Sequence, residues 1–166
     1  MDAIYSYAFH RVGDRAMAED IVSETFHRAL ENIATFEWRG VAFSAWLYRI
    51  ASNAIAAKFR HEPATTAGDD DLEQILEPDP GPELAVMTHE WKADMLAAVR
   101  ALPGDQQQVI LLRFGQDLRN KDIAHIMQRS EGAIKALLHR ALAALRRELV
   151  SVKESSGDHD LQPGTV

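Results

Sequence analysis

The sequence has no cysteine among its 166 residues. Disulfide frameworks, thiolate metal sites and thiol catalysis are therefore excluded. It also lacks any apolar run approaching the roughly 20 residues of a membrane span. The N-terminus does not have the basic, apolar, small-residue order of a secretory signal. A soluble, cytoplasmic protein with no membrane insertion is expected. Catalytic motifs are missing as well: there is no HExxH, no glycine-rich phosphate loop and no GxSxG. The seven histidines are scattered. The pairs His61-Glu62 and His89-Glu90 read as solvated rather than metal-binding. The expectation is a protein that is not an enzyme and uses no cofactor and no metal. No segment sustains the apolar–polar alternation of a strand, and no internal repeat is present, so the expected fold class is all-α.

Basic charge is also in deficit. Eighteen Lys and Arg face 25 Asp and Glu, a net charge of −7. Taken whole, that balance opposes approach to a phosphate backbone. Its distribution narrows the inference. Residues 1–60 hold seven basic and seven acidic side chains. Residues 61–94 hold Lys92 against ten acidic residues, and residues 95–150 hold nine basic against five acidic. The acidity is concentrated in a connector between a neutral unit and a basic one. The composition excludes autonomous, charge-driven DNA binding and leaves other modes open.

The connector carries Pro63, Pro78, Pro80, Gly81 and Pro82 beside the run Asp69-Asp70-Asp71. This composition marks a linker, with room for a short helical piece around Leu72–Leu76. Residues 151–166, with Gly157, Pro163 and Gly164, read as a disordered tail. The remaining sequence has helical spacing. Residues 2–12 form a short predicted helix, and Gly13-Asp14 supplies a break and an N-cap. In residues 15–34, Met17, Ile21, Val22, Phe26, Ala29, Leu30 and Ile33 recur at steps that make one apolar stripe. Residues 42–60 repeat this with Phe43, Trp46, Leu47, Ile50, Ala51, Ala54 and Ile55. Further helices are predicted over Glu83–Leu102, Asp105–Phe114, Asn120–Met127 and Glu131–Val150, with Pro103-Gly104 and Gly115 as stops.

Very short turns separate the last three helices. Ser130 can cap the final one through its hydroxyl. A short helix, a tight turn and a longer helix carrying Lys135, His139 and Arg140 fit a helix-turn-helix, with Arg119, Lys121 and Arg129 placed to reach phosphates. An ordinary helical hairpin with solvated basic residues fits the same spacing. Ile110, Leu111, Ile123, Ile126, Ile134, Leu138, Leu142 and Leu145 are the predicted core of this unit.

The order of residues goes further than periodicity. GDRAMAEDIVSETFHRAL resembles region 2 of bacterial sigma factors, in the part that grips RNA polymerase. FEWRGVAFSAWLYRIASNAIAAKFRH is similar to the promoter-melting segment of the same family. LPGDQQQVILLRF, QDLRNKDIAHIM and SEGAIKALLHRALAALRREL resemble region 4. Region 2, acidic linker and region 4 in direct succession resemble the extracytoplasmic-function group. The resemblance implies two small helical domains: region 2 over residues 1–61 and the region 4 helix-turn-helix over 95–150. Between them lies an acidic linker and the start of a connecting helix over 62–94; the tail is 151–166.

The implied function is that of an alternative sigma factor. It would bind core RNA polymerase and direct promoter-specific initiation, recognising the −10 element through region 2 and the −35 element through region 4. An anti-sigma factor is a further candidate partner. The resemblance assigns Asp20, Glu24 and Phe26 to polymerase binding. It assigns Phe36, Trp38 and Arg39 to capture of a flipped −10 base, and Asn53 to the −10 duplex edge. Arg49, Lys58 and Arg60 can track phosphates. Tyr48, off the apolar stripe, is a candidate DNA contact, whereas Trp46 falls on the stripe and is expected in the core. In region 4 the resemblance places Lys135, His139 and Arg140 against DNA, with Arg113, Arg119 and Lys121 as phosphate partners.

Several residues depart from the family pattern. The first helix is short, and Ser23 replaces a common Gln. Arg119 stands where a capping Ser is usual. Gln128-Arg129 replaces Gly-Ile at the turn, where losing Gly at a left-handed position costs about 1 kcal/mol. Ala136 and Leu137 stand where Ser and Arg are usual. Leu137 can touch a thymine methyl, extend the core or face a protein partner. Two other functions compete. One is a sigma mimic that sequesters an anti-sigma factor, which Ala136 and Leu137 favour. The other is a simple helix-turn-helix regulator, which leaves region 2 unexplained.

Overall fold

The computed structural model describes residues 2–37, 40–61 and 82–157, and every regular element among them is helical. Helix α1 spans Asp2–Val12, α2 Arg15–Asn32 and α3 Phe43–His61. Helix α4 spans Pro82–Arg100, α5 Gly104–Ile110, α6 Asn120–Met127 and α7 Glu131–Gly157. The expected linker at 62–81, with the piece around Leu72–Leu76, lies outside the described residues.

The turn between α1 and α2 follows the predicted chemistry. Gly13 takes a left-handed φ of 72°, and the Asp14 carboxylate accepts the Met17 N–H at 2.7 Å. The buried side of α2 is Ala18, Ile21, Val22, Thr25 and Ala29. The predicted stripe is therefore displaced: Leu30 is 71% exposed and Ile33, in a 3₁₀ turn, is 50% exposed. Small side chains let α1 and α3 approach α2 closely. Thr25 tolerates burial because its hydroxyl donates to the Ile21 carbonyl at 2.6 Å.

Helix α3 is rotated in the same sense. Ala45, Tyr48, Ala51, Ala54 and Ile55 face the core. Phe43 and Trp46, expected inside, instead pack with Phe36 in a cluster outside it, with ring separations of 5.1–5.4 Å. Tyr7 fills the space between α1 and α3, edge-on to Tyr48 at 5.4 Å.

In the second half, α4 starts at Pro82, where the missing N–H leaves no helical bond unmade. Helix α5 runs on into one π-helical turn, Leu111–Gly115. Gln128 takes the left-handed conformation at φ 53°, ψ 45°, as the lost Gly implied. Ser130 Oγ accepts the Ala133 N–H at 3.2 Å and caps α7. The inward line of α7 is Ile134, Leu137, Ala141, Ala144 and Leu145, spaced by three and four. Leu138 is only partly buried and Leu142 is exposed, against expectation, because each lies one residue off that line. Helix α7 also continues to Gly157, through the first seven residues assigned to the tail. Residues 158–166 lie outside the described set.

The halves are packed together. Helix α3 lies on α6, and α1 meets the π-helical turn, so one apolar cluster runs through both halves. Polar contacts join them as well. Arg11 donates to the Gly104 carbonyl at 2.9 Å and to Gln107 Oε1 at 2.7 Å. Gln108 Nε2 donates to Ser52 Oγ at 3.1 Å.

Candidate nucleic-acid and partner interface

Three surfaces hold the residues singled out in the sequence. The first is on α2. Asp20 and Glu24, four residues apart, share one side of the helix. Glu24 pairs with Arg28 on the next turn, and Asp20 meets Lys58 of α3 at 3.6 Å. Phe26 turns inward and packs partly buried against the core. Leu30 and Ile33 add an exposed apolar end to this helix. Residue type alone gave no signal for that end, since leucine and isoleucine at helical spacing are ordinary core residues.

The second surface is the loop before α3 and the first turns of α3. Phe36 is anchored by Phe43 and Trp46. Trp38 and Arg39 lie outside the described residues. Asn53 and Arg60 are exposed, and Lys58 is half-exposed beside Asp20. Arg49 lines a cavity of about 340 Å³ with Phe36, Glu37, Val41, Trp46 and, from α6, His125.

Tyr48 requires a correction. It is buried, not a free DNA contact, and its hydroxyl donates to Gln116 Oε1 across the seam between the halves. Burial, with Tyr7 beside it, pushes the phenol up to about 12.

The third surface is the helix-turn-helix of α6 and α7. Lys135, His139 and Arg140 are exposed on one side of α7, and Ala136 is exposed beside them. Leu137 is 1% exposed, so of its three readings the core is the one realised. Arg113 also departs from expectation. Its guanidinium donates to the Leu118 carbonyl at 2.9 Å and holds the turn rather than standing free for a phosphate. Arg119 is exposed, with Nε 3.1 Å from the buried Asp122 carboxylate, and no side chain caps the start of α6. Lys121 reaches the other half: a Cβ on Gly40 would stand 3.5 Å from its ammonium. His125 is held below the usual histidine range by burial and by Arg49, with Asp122 opposing.

Among the described residues no group of His, Asp and Glu is arranged to hold a metal, and no helix is long and apolar enough to cross a membrane. The surfaces are suited to binding. The described residues form an all-helical protein in two parts, with a basic exposed side on α7 and an acidic, partly apolar side on α2.

Comparison with known proteins makes the class particular. Residues 1–63 match the family model for sigma-70 region 2, and residues 92–145 match that for sigma-70 region 4. The chain is 42% identical over 151 residues to the ECF RNA polymerase sigma factor BldN of Streptomyces coelicolor, covering 89% of this chain and 56% of BldN. It is 33% identical over 157 residues to the ECF sigma factor SigW of Bacillus subtilis, covering 89% of this chain and 83% of SigW. The fold is shared with the sigma factor RpoE of Bartonella quintana, solved with the anti-sigma factor NepR. The TM-score there is 0.68 at 23% identity, over 89% of each chain. The chain belongs to the sigma-70 family, in its extracytoplasmic-function group. Members of that family are sigma factors, which are not enzymes.

Proposed function

We propose that the chain acts as an alternative sigma factor, binding core RNA polymerase and directing promoter-specific initiation without catalysis of its own. The observation that carries this reading is the succession of both sigma regions on one chain. The α2 side with Asp20 and Glu24, supported by Phe26 and extended by Leu30 and Ile33, is the polymerase face. An acidic face with an apolar end suits a basic, amphipathic partner helix. The −10 element falls to the loop with Phe36, Trp38 and Arg39 and to Arg49, Asn53, Lys58 and Arg60 of α3. The −35 element falls to Lys135, His139 and Arg140, with Arg119 and Lys121 on phosphates. The site of action is the cytoplasm, where polymerase and chromosome meet.

The packing of the halves sets a condition on this function. Elements roughly 25 base pairs apart lie about 85 Å apart on B-DNA. Two units sharing one apolar core cannot span that distance, so they must separate on the promoter. The twenty residues 62–81 can reach about 70 Å when extended, and α4 adds to this. In the packed form α6 lines the Arg49 cavity through His125, which keeps that part of the α3 surface from DNA.

Burial of Leu137 removes one feature that favoured the mimic reading, since the residue serves the core rather than a partner. An anti-sigma factor remains a proposed partner; the similar sigma factor RpoE was solved with one, NepR. Run-off transcription with purified core polymerase on a promoter library tests the proposal. Promoter-dependent transcripts are expected. No transcript, with tight capture of an anti-sigma factor, would establish the mimic instead.

A further inference from the structure

Two histidines lie near the seam between the halves, one from each, and each feels the charge of an arginine of the opposite half, Arg100 for His10 and Arg49 for His125. His10, in the last turn of α1, is partly buried, and its ring packs on Phe9 at 6.0 Å. Its Nδ1 is buried without a hydrogen-bond partner. The charge acting on it is the Arg100 guanidinium at the end of α4, and no carboxylate offsets it among the described residues. The adjacent Arg11 is already committed across the seam to Gly104 and Gln107. His125, on α6, closes the cavity against Arg49 of α3. Asp122 on its own helix is the opposing charge there; Arg119 engages its Oδ2, and its Oδ1 is buried without a partner. Glu37 lines the same cavity from the loop before α3.

We propose that this seam is an acid-sensitive latch: protonation of His10 and His125 places an imidazolium against Arg100 on one side and Arg49 on the other, and the halves part. The packed form holds both imidazoles below their usual 6.5, through burial first and then the facing arginine. In the parted form both rings are solvated and titrate near that usual value. The parted form therefore binds more protons at mildly acid pH. Packing is fully favoured above about 6.5 and loses ground as pH falls below it. The two sites act together, because opening either side exposes the other. The consequence for transcription rests on the sigma-factor reading: the parted form uncovers the Arg49 cavity and α6.

The absence of cysteine makes the test direct. Ala3→Cys on α1 and Ala143→Cys on α7, both at exposed positions, take a donor and an acceptor dye on the full chain. Energy transfer is read from pH 7.5 to 5.5, with helicity followed by circular dichroism. Transfer should fall with pH while helicity holds. His10→Gln with His125→Gln should keep the pH 7.5 value throughout, and His125→Gln alone, at a half-exposed site, should shrink the change. Constant transfer in the parent chain would overturn the latch. So would an unchanged response in the double variant, or loss of helicity in step with transfer. No polymerase is present, so failure here is separate from failure of the sigma-factor assignment.

Discussion

Replacing Leu137 by alanine tests the orientation of α7, on which the reading of the DNA face depends. The side chain is 1% exposed and belongs to the line that joins α7 to α4, α5 and α6. Removing it deletes buried methyl groups and leaves a space that neighbouring helices close only partly. Such substitutions cost about 2–5 kcal/mol. Against a domain stability of about 5–15 kcal/mol, that is a large share. Urea unfolding followed at 222 nm measures it, with the slope compared between variants to check that the unfolded state is unchanged. Two neighbours serve as controls. Leu138→Ala, at a partly buried site, should cost clearly less, and Ala136→Ser, at an exposed one, should stay within about 0.5 kcal/mol. If Leu137→Ala is as mild as Ala136→Ser while Leu138→Ala is severe, the helix is turned by one residue. Lys135, His139 and Arg140 would then not share the outward face.

Four further outcomes are expected. Asp20→Arg with Glu24→Arg should abolish most co-purification with core polymerase; undiminished recovery would move the polymerase face elsewhere. Lys135→Ala with Arg140→Ala should lower promoter-specific transcription more than polymerase binding, read by run-off assay and by pull-down; equal losses would contradict a DNA role. Gln128→Gly should raise stability by up to about 1 kcal/mol in urea unfolding, because the left-handed backbone there no longer strains a side chain. Tyr48 stays un-ionised in the packed form up to about 12, while the unfolded phenol ionises near 10. The unfolded chain therefore loses its proton first, and stability should decline as pH rises through that window. Absorbance at 295 nm should show this phenol ionising late together with Tyr7, which burial also pushes up, and Tyr48→Phe should shrink the late phase while leaving the Tyr7 share.

The sequence alone carried the all-helical class, the break at Gly13-Asp14, the left-handed turn at Gln128 and the cap at Ser130. Each is fixed by a residue acting within a turn or two of itself, so no distant contact is needed to read it. The order of the two sigma regions was legible in the same way, from strings of residues. Which side of each helix faces inward was not. Leu30, Ile33, Phe43 and Leu142 read as core but stand exposed, whereas Ala18, Thr25, Tyr48 and Leu137 take the interior. Periodicity locates an apolar stripe to within one residue, about 100° of rotation, and close helix approach then selects small or hydrogen-bonded side chains over large ones. The packing of one half on the other was equally invisible, because it joins residues 56 to 96 positions apart, such as Ser52 with Gln108 and Arg11 with Gln107. Tertiary structure alone decided that Tyr48 and Arg113 serve the protein's own framework, and that His125 shares a cavity with Arg49 of the other half. Those assignments depend on which surfaces meet in space, and the chain's linear order does not encode that locally.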